Sequence, residues 1–230
     1  EMKTILNDID LTIENNKLLG RDFSLQELRD ANDAVFIGIG APGSSGLGVE
    51  GEDAKGVVMA VPFLKQYNLT GSAPVGRKVV VVGGGNAAVD AARTAMRLGA
   101  ESVTIVYRRS REEMPAYSEE VHEAVYEGVK LLHLTHPLEI LKDAEGKVSG
   151  VSCVSMKLGE YDRTGRRRPV VDEKSIFTIE ADQVITAIGQ TLIPGNLFEL
   201  KDAELKLTRR NFIQTDSVTG QTSVPGIFAG

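Results

Sequence analysis

Val79-Val80-Val81-Val82-Gly83-Gly84-Gly85-Asn86-Ala87-Ala88-Val89-Asp90 is the stretch whose reading decides the fold. Four consecutive valines predict a strand covered on both faces, because only such a strand can bury every side chain it presents. The strand runs into three glycines and then into small residues that predict a helix over 86–98, closed by Gly99. The spacing is G-x-G-x-x-A, with a strand before it and a helix after it. In that setting Gly83 allows the tight turn and Gly84 continues it. Gly85 lets the backbone approach a pyrophosphate, and Ala88 is small enough for the helix to pack hard on the sheet. Asn86 and Ala87 then offer helix N-terminal N–H groups and a partial positive charge to phosphates. Glycine-rich strand-to-helix turns also occur as plain structure; here strand, helix and downstream spacing agree on a dinucleotide site.

The next apolar run, Val103–Tyr107, predicts a second buried strand, and its tip is Arg108-Arg109 with Arg111 close behind. Arg108 lies 23 positions beyond Gly85, near the ~20 expected of the residue that reads the ribose. An acidic residue there would accept from a 2′-hydroxyl. A guanidinium fork suits a 2′-phosphate instead, so the expected nucleotide is NADP(H) rather than NAD(H). The competing reading is a solvated charge cluster, since Glu112 and Glu113 follow at once.

Composition narrows the function classes. The 230 residues are 42% hydrophobic and 25% charged, ordinary values for a globular protein of one large or two small domains. The net charge of −6 gives no general attraction to nucleic acid, and no segment is long and apolar enough to span a membrane. The expected location is cytoplasmic. The lone cysteine, Cys153, excludes an internal disulfide, a C-x-x-C pair and a cysteine-ligated cluster built from this chain alone. It falls in an apolar strand pattern and reads as a buried small hydrophobe.

Taken in order, residues 2–6 read as the end of a helix and Asp10–Glu14 as a half-buried strand. Ser24-Leu25-Gln26-Glu27 is a capping box opening a helix to about Ala31. Residues 34–40 predict a buried strand, 41–51 a connecting loop, 57–66 a helix and 69–76 a linker. Beyond the arginines, Tyr117–Glu127 has helical spacing with Val121 and Val125 on one face, and Val129–Leu134 predicts the third strand of the nucleotide-binding unit. His133 and His136 point to opposite faces of a strand, so they are not a metal pair. They and His122 read as structural. Leu138–Leu141, Val148–Leu158 and Ser175–Ile179, split by turns, predict an antiparallel meander, with the arginines at 166–168 at a solvated hairpin tip. Gln183–Gly189 returns as a buried strand. Asp90 reads equally as a helix-face residue or as support for the glycine turn.

Together these stretches carry a resemblance. The Val-Val-Gly-Gly-Gly-Asn-Ala-Ala-Val-Asp run, Tyr107-Arg-Arg-Ser-Arg-Glu-Glu-Met-Pro-Ala116, Ala187-Ile-Gly189 and Val224-Pro-Gly-Ile-Phe-Ala-Gly230 are similar to the glutamate synthase small (beta) subunit family. The resemblance also extends to the reductase part of dihydropyrimidine dehydrogenase and to ferredoxin–NADP oxidoreductase subunits. It implies an α/β flavoprotein: a Rossmann-like three-layer dinucleotide-binding domain with an antiparallel β-meander, inserted in a partial FAD-type domain. The expected divisions are 1–72 as partial FAD-type domain and linker, 73–191 as NADP(H)-binding domain, and 192–230 as the return segment. NADPH would reduce FAD, and electrons would leave through iron–sulfur clusters to a large subunit or another acceptor. Ala187, Ile188 and Gly189 would line the nicotinamide side.

In that family a FAD-binding G-x-G-x-x-G and the cluster cysteines lie upstream of anything in this sequence. The resemblance therefore implies a fragment of a longer enzyme, with its flavin site incomplete, inactive alone, and compatible with a homodimer. Hydride transfer requires no general acid, base or nucleophile, and none is assigned. Two alternatives stand beside glutamate biosynthesis: another acceptor on the same scaffold, such as ferredoxin or a sulfur species, and a non-enzymatic NADP-binding module. Thioredoxin reductase is disfavoured because the nucleotide domain lacks a C-x-x-C pair.

Overall fold

The computed structural model describes residues 10–41, 43–161, 165, 167–191, 204–209 and 211–230. The chain forms two compact units, one from residues 43–190 and one from the segments on either side. The larger unit holds the valine run. Its centre is a five-stranded sheet, all parallel, in the order β3 (Val57–Met59), β10 (Gln183–Thr186), β4 (Lys78–Val82), β5 (Ser102–Tyr107), β6 (Lys130–His133). Two-residue strands β2 (Gly43–Ser44) and β11 (Gln190–Thr191) stand at the ends of this stretch of chain.

The valines divide by alternation. Val79 and Val81 join the core shared with the helices, while Val80 and Val82 join a second core under the meander. On the helical side lie α2 (Ala60–Thr70), α3 (Asn86–Arg97) and α4 (Ser118–Tyr126). Ala88, Ala91, Ala92 and Ala95 of α3 repeat at helical spacing and are fully buried, so the helix axis comes close to the sheet. On the other side β7 (Thr135–Lys142), β8 (Val148–Tyr161) and β9 (Arg167–Glu180) form the antiparallel meander. Val148, Val151 and Cys153 press from it onto Val80, Val82 and Val106. The expected three layers are present.

The front of this unit differs from expectation. Residues 57–66 contain a strand before the helix: Val57–Met59 pairs with Val184–Thr186, and the helix starts at Ala60 and runs to Thr70. Backbone pairing outweighs helical spacing there, and residues 43–72 belong to the larger compact unit. In α4, Val121 and Ala124 are buried while Val125 is exposed, because the spacing of three faces the sheet.

The smaller unit contains α1 (Leu25–Ala31), β1 (Val35–Ile37) and β12 (Ile227–Ala229). The capping box is formed: the Glu27 N–H donates to Ser24 Oγ at 3.1 Å, and the Ser24 N–H donates to Glu27 Oε2 at 2.8 Å. β1 and β12 pair in parallel over a core of Leu25, Ile37, Leu205, Ile227 and Ala229. The strand expected over 34–40 is three residues long, and Phe36 is exposed. Asp10–Glu14 forms no strand among the described residues, and Leu11 and Ile13 are exposed; alternation alone supplies no neighbouring strand. The helix expected over 2–6 lies outside the described residues, as do Asp162 and Arg166 of the hairpin tip. Arg167 is not simply solvated: its guanidinium donates to the carbonyls of Gly159 and Leu158 at 3.0 and 2.8 Å.

Candidate functional site

A cavity of about 460 Å³ opens at the carboxyl ends of β4, β5 and β10 in the larger unit. In parallel α/β sheets this edge is where ligands bind, because loops and helix N-termini converge there. The floor is the glycine turn. Gly83 has φ +151°, and a Cβ there would strike the Ala187 carbonyl oxygen. A Cβ on Gly84 would strike the Tyr107 ring. At Gly85 the nearest atom to such a Cβ is Pro115 Cγ at 4.0 Å, so the space above this residue is open. Backbone bonds hold the turn in place: the Gly83 N–H donates to the Val106 carbonyl at 3.1 Å, and the Ala187 N–H donates to that of Val82 at 2.8 Å.

Helix α3 starts directly behind Gly85, and no side chain caps it. The first-turn N–H groups of Asn86 and Ala87 have no partner within the helix. The fit to a phosphate is therefore physical: an uncapped positive helix end, facing open space above a residue without a side chain. Ala88 is fully buried beneath the turn. Asn86, Ala87 and Ala88 do not line the cavity with their side chains. The Asn86 Oδ1 instead accepts the Tyr117 N–H at 2.9 Å, and the Gly84 carbonyl accepts the Ala116 N–H at 3.1 Å. The segment following the arginines is thus stitched to the glycine turn at two points.

The β5 tip supplies the cations. Arg108 and Arg109 both line the cavity, whereas Arg111 sits on a single 3-10 turn (Arg111–Glu113) and does not. The two arginines differ. Arg109 has a side chain 11% exposed, and its Nη1 lies 3.5 Å from Glu113 Oε1. Glu113 also accepts the N–H of Arg167 at 3.1 Å and that of Ser110 at 3.4 Å. Its carbonyl accepts the Tyr107 hydroxyl at 2.9 Å. Arg108 is exposed, and no hydrogen bond or ion pair among the described residues engages it. One guanidinium is tied into the wall and the other faces the cavity unclaimed.

The far wall is Ala187, Ile188 and Gly189, with Leu47 beside them. The 41–51 segment, expected as a connector, puts Leu47 there through the Glu52 carboxylate, which accepts the N–H groups of Leu47 and Gly48, the latter at 2.9 Å. Sequence reasoning also missed Tyr107, Pro115, Thr135, His136 and Pro137 as lining residues. Pro115 stands inside the quoted Met-Pro-Ala run, which was a usable signal. His136 carried none, since its place depends on how β7 crosses behind β5. Burial, and then the charge of Arg108, holds the His136 imidazole below its ordinary range. Asp90 does not line the cavity; desolvation and the neighbouring Glu120 charge push its carboxyl upward.

A second cavity, about 280 Å³, lies in the smaller unit beyond the carboxyl ends of β1 and β12. It is bordered by Ile37, Ile39, Gly40, Phe212, Ala229 and Gly230.

The profile of the pyridine nucleotide-disulphide oxidoreductase family matches residues 3–230. The chain is 44% identical over 223 residues to the NADP(+)-dependent formate dehydrogenase subunit beta of Moorella thermoacetica, covering 96% of this chain and 31% of that protein. It is 46% identical over 200 residues to the NADPH-Fe(3+) oxidoreductase subunit beta of Geobacter sulfurreducens, covering 84% and 30%. It is 39% identical over 242 residues to the glutamate synthase [NADPH] small chain of Escherichia coli, covering 99% and 51%. The chain thus spans from under a third to about half the length of these relatives. Among solved structures, FprA from Mycobacterium tuberculosis in complex with NADPH shares the fold, with a TM-score of 0.75 at 20% identity, covering 93% of this chain and 61% of that one. By the match along nearly its whole length and by the layered sheet that carries the glycine turn, the chain belongs to the pyridine nucleotide-disulphide oxidoreductase family.

Proposed function

We propose that the larger unit binds NADP(H) and that the full-length protein is an NADPH-dependent flavoprotein oxidoreductase. One observation carries the reading: an unclaimed guanidinium, Arg108, shares a cavity with an uncapped helix start behind a glycine turn. The pyrophosphate lies over Gly83, Gly84 and Gly85, against the N–H groups of Asn86 and Ala87. The 2′-phosphate meets Arg108, with Arg109 braced behind it by Glu113. Ala187, Ile188 and Gly189 flank the nicotinamide end, where Leu47 helps exclude water. The smaller unit, whose cavity follows the ends of a parallel strand pair, would hold only part of an FAD in the full-length protein. A flavin bound to the full-length protein would supply the chemistry that takes a hydride from NADPH and passes single electrons onward.

The relatives named above share the pyridine nucleotide in their names and differ in the rest. A glutamate synthase small-subunit role, with a large synthase subunit as partner, is supported by the Escherichia coli relative, which matches 99% of the chain. A second reading, a beta subunit serving another acceptor, is favoured by the higher identity to the formate dehydrogenase and Fe(3+) oxidoreductase subunits. The donor side is tested by titrating the full-length protein with NADPH and NADH. NADPH should bind ~10–100-fold more tightly, the worth of charge-assisted hydrogen bonds to one phosphate. Arg108→Ala should bring the ratio close to one; an unchanged ratio overturns the assignment. The acceptor side is tested by NADPH oxidation with 2-oxoglutarate plus glutamine or with ferric chelate, and, in the opposite direction, by reduction of NADP+ with formate and a formate-oxidising partner. The acceptor that supports turnover decides between the two readings.

A further inference from the structure

The cavity wall beside the arginine tip carries a histidine to which the dinucleotide reading gives no role. His136, second residue of β7, is half-buried and lines the same cavity as Arg108. Thr135 and Pro137 beside it are buried, and the Thr135 hydroxyl is spent on the His133 carbonyl at 3.2 Å. Val154 stands opposite on β8. Among the described residues no hydrogen bond engages the His136 ring.

Ionisable groups stand on the elements around it. The β5 tip brings Tyr107, Arg108 and Arg109, the 3-10 turn brings Arg111, Glu112 and Glu113, β6 brings His133, β7 itself brings Glu139, and the facing part of β8 brings Cys153. The exit of β10 (Ala187–Gly189) brings none. Arg108 is the charge that His136 feels. In the free protein burial, and then this guanidinium, disfavour the charged form of the ring.

We infer that His136 is a second contact for the 2′-phosphate, sharing that group with Arg108, and that it takes up a proton when the phosphate enters. The inference rests on the NADP(H) reading given above. A dianion placed between the two side chains reverses the field at the imidazole and favours its charged, donating form. NAD(H) lacks that group and leaves the ring unchanged. Because the ring's pKa is higher in the complex than in the free protein, binding of the phosphorylated nucleotide tightens as pH falls from 8 toward 6. The phosphate's own second ionisation, near ~6, opposes this at the acid end. Comparison with a variant that lacks the titrating ring isolates the histidine.

The experiment is isothermal titration calorimetry of the full-length protein with NADP+ and with NAD+, between pH 6 and 8. Two buffers of different ionisation enthalpy count the protons exchanged. Wild type, His136→Asn and His136→Gln are compared, the two variants keeping polarity without titrating. The expected result is proton uptake by the wild type at pH 7 with NADP+ but not with NAD+. Both variants should lose it, and the wild-type advantage in NADP+ affinity should grow about three- to tenfold from pH 8 to pH 6. Proton exchange with NADP+ that is the same in the wild type and in both variants overturns the inference; so do parallel affinities of wild type and variants across the pH range. A wild type that binds NADP+ and NAD+ equally at every pH, with no response to Arg108→Ala, overturns the underlying NADP(H) reading instead.

Discussion

Arg108 and Arg109 are adjacent in sequence and unlike in setting, and the difference is Glu113. Arg109 is nearly buried against that carboxylate, so Arg109→Ala should lower the thermal midpoint while removing less of the NADPH preference than Arg108→Ala. Thermal melts and paired NADPH and NADH titrations check the split, and equal loss of preference in both variants contradicts it. Gly83 is fixed by two separate constraints, a backbone φ of +151° and the Ala187 carbonyl. Gly83→Ala should cost roughly 1–3 kcal/mol in urea unfolding and weaken dinucleotide binding, since the turn must shift. Cys153 is sealed between sheet and meander, and burial pushes its thiol up to about 12. It should resist thiol reagents at pH 8 in the folded protein and react only on unfolding. Rapid labelling of the native state would place it elsewhere. The turn at Gly83 and the burial of Cys153 were legible in the sequence, but the split between the arginines was not: a doublet looks symmetric until a carboxylate four positions on chooses one of them.

Between elements, α3 and α4 are joined by charge at the edge of their apolar contact. Arg93 of α3, only 16% exposed, pairs with Glu120 and with Glu127, the latter at 2.8 Å, and Arg97 reaches Glu127 at 2.5 Å. The Arg93 and Arg97 hydrogen bonds hold the Glu127 carboxyl below its usual range, against the opposing effect of burial. A lowered carboxylate pKa gives stability that is present above the unfolded-state value and is lost as pH falls through the folded one. Arg93→Ala should therefore cost about 1–3 kcal/mol at pH 7, and less at a second, acidic pH as the carboxylates take up protons. Urea midpoints at the two pH values measure this, and equal losses would show that packing rather than charge is at stake. The clasp fixes the start of α4, next to Tyr117, whose N–H reaches Asn86 at the glycine turn. At this scale the elements with strong local signals were readable: the valine strand, the alanine face of α3 and the Ser24–Glu27 cap. Val57–Met59 was not, because three β-branched and apolar residues before a helix look like its first turn until β10 pairs with them.

Over the whole chain, the sequence by itself determined the nucleotide-binding unit. Val79–Val82 can be buried on both faces only inside a layered sheet, and the glycine spacing can follow it only as a strand-to-helix turn. Those are local constraints of volume and backbone conformation, so they survive in the one-dimensional record. The placement of the cations at β5 was legible for the same reason, as a distance along the chain from the glycines. Only the tertiary structure decided what surrounds them. Leu47, Thr135, His136 and Pro137 reach the cavity from segments distant in sequence, through the Glu52 tether and the course of β7 behind β5. Long-range pairing also places Val57–Met59 in the sheet of the larger unit. Contacts of this kind are set by the closure of the sheet and the packing of its layers, not by the composition of any one stretch, and so no local pattern announces them.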